Sequence, residues 1–71
     1  MESIRLHTDL YSASAISRAI QLFESYASLT LRETDSYFEI TVLSEHDAGE
    51  HRVAAELANH ALALTVEESR A

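Results

Sequence analysis

The hydrophobic residues of this chain change their spacing from every second residue to every third or fourth, back again, and once more to the wider spacing. That alternation limits the fold more than any single residue does. Residues 3–8, Ser-Ile-Arg-Leu-His-Thr, put Ile4 and Leu6 on one side and Arg5 and His7 on the other, the pattern of a half-buried strand. Over residues 13–27 the period becomes helical, with Ile16, Ala19, Ile20, Phe23 and Ala27 on one face and Ser17, Arg18, Gln21 and Glu24 on the opposite one. Residues 28–33 alternate again with Leu29 and Leu31 inward, and residues 36–43 do so with Phe38, Ile40 and Val42 inward. The polar Thr34-Asp35-Ser36 between them predicts a β-hairpin. Residues 44–50 break the pattern and hold the one glycine. Asp47 with Glu50 three residues later predicts a capped helix over about 48–67, in preference to a start at Ser44, which would place Gly49 inside the helix at about 1 kcal/mol.

The predicted order is β-α-β-β-α, an α+β two-layer sandwich. With a right-handed crossover and the third strand in the middle, the sheet is three-stranded and antiparallel in the order 1-3-2, with both helices on one face. This is a ferredoxin-like arrangement without its last strand. A single domain spans residues 1–71. The missing strand would have paired with the first, whose free edge is a template for a second copy or a partner peptide.

Size makes such an association expected. A chain of 71 residues buries a modest share of its extended surface, and without cysteine it has neither disulfides nor the commonest zinc frameworks to reinforce a small core. The last helix carries a main apolar stripe of Val53, Leu57, Ala61 and Leu64. A second row, Ala55, Leu62 and Val66, lies on an adjoining side, making an arc wider than one sheet contact needs. Ile4, Leu6, Ala55, Leu62 and Val66 are therefore the candidate interface, and a homodimer is the expected state.

Charge and motif content exclude several classes. Twelve acidic residues stand against five arginines and no lysine, a net charge of −7, so nucleic acid is not expected as a partner. No apolar run approaches a membrane span and Glu2 follows Met1 where a basic leader would begin, so the expected compartment is the cytoplasm. There is no glycine-rich phosphate loop, nucleophile elbow or Cys-x-x-Cys, and the chain reads as non-enzymatic, with no cofactor. His46 and His51, with Glu45, Asp47 and Glu50, offer metal-ligand types at a spacing that matches no specific site. They support a small metal-binding protein only as an alternative. An acidic inhibitor of the antitoxin kind is a second alternative, resting on charge alone. His7 and His60 lack a nucleophile or an orienting carboxylate at a readable spacing and read as surface or interface residues. The outer sheet face would show Arg5, His7, Thr30, Arg32, Tyr37, Glu39 and Thr41. Of these, Arg5, His7, Tyr37, Glu39 and Thr41 form a possible peptide-binding surface.

Ser12 fits a helix N-cap with Tyr11 and Ile16 as a hydrophobic staple, while Ser14 and Ser17 are expected to face solvent. The same stretch carries a resemblance. Asp9, Leu10-Tyr11-Ser12, Ala15-Ile16 and Phe23, followed by a hairpin, are similar to the opening of the small D protein family of the bacterial His-Xaa-Ser system. Residues 56–68 resemble that family's closing helix, although His60, Ala61 and Leu64-Thr65 stand where acidic, Tyr and Arg-Glu residues are typical. The resemblance implies an accessory protein encoded beside radical-SAM maturation enzymes, binding a protein or peptide partner, and supplies no catalytic residues.

Overall fold

The computed structural model describes residues 1–43 and 47–70. Five elements follow one another: β1 (Glu2–His7), α1 (Ala13–Phe23), β2 (Ser28–Glu33), β3 (Tyr37–Leu43) and α2 (Asp47–Ser69). The sheet order is β1-β3-β2, with both neighbouring pairs antiparallel. The α+β sandwich expected from the alternating periods is the one observed.

Strand pleating decides what each strand buries. Leu6, Phe38, Ile40 and Val42 point from the sheet into a core completed by Ala15, Ile16 and Ala19 of α1 and Ala54, Leu57, Ala61 and Leu64 of α2. The register places Ile4, Ile40 and Leu31 in one row and Leu6 beside Phe38, so the apolar faces of all three strands coincide. α2 packs on β1 and β3, and α1 packs on α2. Alanines at 15, 19, 54 and 61, all essentially buried, allow that close approach.

Two boundaries differ from the sequence reading. α1 ends at Phe23, four residues short of the expected end, because the chain turns there and the Tyr26 amide donates to the Phe23 carbonyl at 3.0 Å. α2 runs from Asp47 to Ser69, one residue earlier and two later than the expected 48–67, with Gly49 in its first turn. The Asp47 and Ser44 caps concern side chains outside the described residues. The hairpin forms as expected: the Thr34 amide donates to the Tyr37 carbonyl at 2.9 Å, and the Thr34 hydroxyl accepts from the Tyr37 amide at 3.1 Å.

Candidate interaction surfaces

The start of α1 shows how far apart in sequence the pinning contacts lie. Ser12 sits in extended backbone and its Oγ accepts from the Ala15 amide at 3.0 Å, which is the expected N-cap. Tyr11 packs against the core that contains Ile16. The same Ser12 hydroxyl donates to Glu68 Oε1 at 2.7 Å, and the Ser12 amide donates to Thr65 Oγ1 at 3.2 Å. Ser14, expected to face only solvent, donates to Glu68 Oε2 at 3.0 Å, and Arg18 reaches the same oxygen at 3.3 Å. Hydrogen bonding from Ser12 above all, then from Ser14 and Arg18, holds the Glu68 carboxyl below its ordinary range against a weaker opposing effect of desolvation. Every member has a structural partner, so these hydroxyls serve helix initiation and helix docking.

The buried row on α2 runs 50-54-57-61-64-68, at alternating steps of four and three. Glu50 and Glu68 stand at its two ends; the sequence reading placed Glu50 at the helix start and among possible metal-ligand types, but foresaw the contacts of neither. Their phase with Leu57 and Ala61 was the available signal. Glu50 is 3% exposed and pairs with the amino group of Met1.

On the outer sheet face, Arg5, Glu39 and Arg32 lie directly opposite one another across three strands. Glu39 accordingly has one guanidinium at 3.7 Å on each side, and Arg5 also covers the Tyr37 ring at 5.0 Å. Such exposed pairs are each worth about 0.2–1 kcal/mol. His7 and Thr30 share this face, and Thr41 Oγ1 meets Ser3 Oγ at 3.3 Å. The proposed peptide-binding residues are thus brought together on one surface.

The candidate interface residues fall into two groups. Leu6 is in the core and Ile4 is half-buried against it, so at the β1 edge they leave the backbone as the main thing on offer. Ala55, Leu62 and Val66 are exposed on α2, away from its buried row. His51, on the flank of α2 above β1, meets Glu2 at 3.3 Å, whereas His60, on the opposite flank, stacks on Phe23 with ring centroids 6.1 Å apart. His46 lies outside the described residues. Among those described, no three His, Asp or Glu side chains converge on a point where a metal could sit.

A hollow of about 400 Å³ opens between the end of α1 and the start of α2, lined by Phe23, Tyr26, Gly49, Arg52, Val53 and Glu56. Arg52 and Glu56 pair across one helical turn at 3.2 Å. Nothing lies within 4 Å of where a Cβ on Gly49 would stand, so the space at Gly49 is open.

Both sheet edges expose backbone, and the hydrogen-bond parity identifies which groups. In an antiparallel ladder alternate residues bond to the neighbour and the rest face away. The Thr8 amide donates to the Ser36 carbonyl, continuing the β1–β3 register, so Leu6, Ile4 and Glu2 face β3 while Ser3, Arg5 and His7 face outward. The His7 carbonyl is occupied by the Leu10 and Tyr11 amides, at 3.0 and 3.1 Å. By the same rule, the Thr34 amide bonded to Tyr37 leaves the outward groups of β2 on Leu29, Leu31 and Glu33. No family model, curated protein or solved structure matches the chain.

Proposed function

We propose that this chain is a non-enzymatic accessory module that holds a protein or peptide partner and associates with itself, in a maturation system of the radical-SAM kind that its opening motif resembles. The observation that carries the reading is the open sheet: among the described residues, three strands, two edges with no further strand on them, and outward amide and carbonyl groups on alternate residues of each. An extended peptide added to such an edge gains a ladder of main-chain hydrogen bonds, with its alternate side chains reading the flanking surfaces. β2 offers the longer run, Leu29, Leu31 and Glu33, with Leu31 43% exposed on the core side for an apolar partner residue. On the other side the Arg5-Glu39-Arg32 row and Tyr37 present both charges and a ring. The resemblance favours a partner bearing His-Xaa-Ser repeats, whose imidazoles and hydroxyls suit that mixed face. Titration of the isotope-labelled protein with a synthetic His-Xaa-Ser repeat peptide tests this. Amide shifts centred on 29–33 are expected, and an unchanged spectrum at excess peptide would reject the reading.

A further inference from the structure

We infer that the β1 edge is the seat of a second copy of this chain, paired antiparallel about a two-fold axis at Ile4, with the two α2 helices packed side by side above the joined sheets. This rests on the reading of the chain as an interaction module and assigns one of its two edges. Three observations converge on it.

The first is spacing. α2 packs on both β1 and β3, and a helix seated over the gap between two strands about 4.8 Å apart has its axis about 2.4 Å inside the edge strand. A two-fold axis beyond β1 lies about 2.4 Å further out, which sets the two α2 axes about 10 Å apart. Packed helices sit at about 8–10 Å. A helix centred over β1 would collide with its copy, and one centred over β3 would leave a slot between them.

The second is chemistry. The flank of α2 above β1 is fixed by the His51 contact to Glu2, and carries His51, Ala55, Ala58 and Leu62, with Val66 beyond. Between His51 and Val66 that flank carries no acidic residue of α2, and the Glu2 carboxylate of β1 beside it meets His51. The exposed acids Glu56 and Glu67 lie on the other flank, the one His60 turns toward Phe23 of α1. Two copies of a chain of net charge −7 can approach along the uncharged stretch of the first flank from Ala55 to Val66, and small residues there let the helices come close.

The third is register. Pairing centred on Ile4 sets Ser3 opposite Arg5 of the other copy, twice, and engages four outward backbone bonds. Centring on Arg5 would oppose two guanidinium groups and call on the His7 carbonyl, already occupied; centring on Ser3 joins a single pair. The β2 edge remains free for the peptide.

Proline substitution separates the edges, because an outward amide can be lost without breaking the ladder to β3, while the ring blocks a new strand. Sedimentation equilibrium at high micromolar concentration should give twice the chain mass for the wild type and for Leu31→Pro, and a monomer for Ser3→Pro with an unchanged circular dichroism spectrum. A fall in association of about tenfold or more is expected for Ser3→Pro. A monomeric wild type, or loss of the dimer in Leu31→Pro alone, overturns the proposal; the peptide titration, read separately, would still stand. Should Ser3→Pro fail to fold, single cysteines decide. Oxidation should cross-link Ile4→Cys and not Arg5→Cys, and the reverse places the axis elsewhere.

Discussion

The helix pair α1 and α2 has two ends built on opposite plans. Where α1 begins, a single carboxylate collects Ser12, Ser14 and Arg18, and Thr65 takes the Ser12 amide, so the ends of the two helices are tied by directional bonds. Where α1 ends, the contacts are rings: Phe23 lies edge-on to Tyr26, with centroids 6.1 Å apart, and stacks on His60, beside an open hollow. A helix pair of this size can be fixed by polar contacts at one end and stay adaptable at the other, provided the layer between them is well packed. Leu57 is fully buried in that layer.

Substitutions can break or sharpen this contrast. Leu57→Ala removes a fully buried anchor of that layer and should cost about 3 kcal/mol in chemical denaturation, enough to unfold much of a domain this small. Ser12→Ala strikes the closed end alone, losing the cap and one bond to Glu68. A loss of about 1–2 kcal/mol is expected, and a loss under a few tenths would show that the tie contributes nothing. Glu68→Gln should cost less than Ser12→Ala, since Ser12 still caps Ala15, but it should alter the pH profile. The folded carboxyl titrates below its unfolded value, so its stabilisation is complete above the ordinary carboxylate range and fades as pH falls through the folded pKa. Wild type and variant should therefore converge in denaturation midpoint on acidification; a pH-independent gap would contradict this. At the open end, Gly49→Ala meets empty space in a helical turn and should stabilise by about 0.5–1 kcal/mol, read as a raised melting temperature.

The element order and the hairpin were legible because they rest on local periodicity and turn residues, whereas the sheet order 1-3-2 followed only once a right-handed crossover and a central third strand were supposed. The exposed row Ala55, Leu62 and Val66 was legible from periodicity as well. The end of α1 was not, since Ala27 keeps the helical phase while the 23–26 turn that diverts the chain is imposed by the path into β2. Glu68 and Glu50 were invisible as contacts because their partners lie at the other end of the chain. Ser14 looked solvated for the same reason: nothing near it in sequence hints at a carboxylate 54 residues away. The two sheet edges could be foreseen, but which amides face outward follows only from the observed ladder.

The bond from Ser12 to Glu68 closes a loop of 56 residues, most of the chain. Contacts of that separation form late, because the closure entropy falls due before the contact returns anything. The local half of the cap, Ser12 to Ala15, can form as soon as α1 nucleates, whereas the half that reaches Glu68 waits for β2, β3 and most of α2. One hydroxyl thus takes part in both an early and a late step of folding, and Glu68 acts as a latch on the finished domain, slowing its opening more than it speeds its assembly.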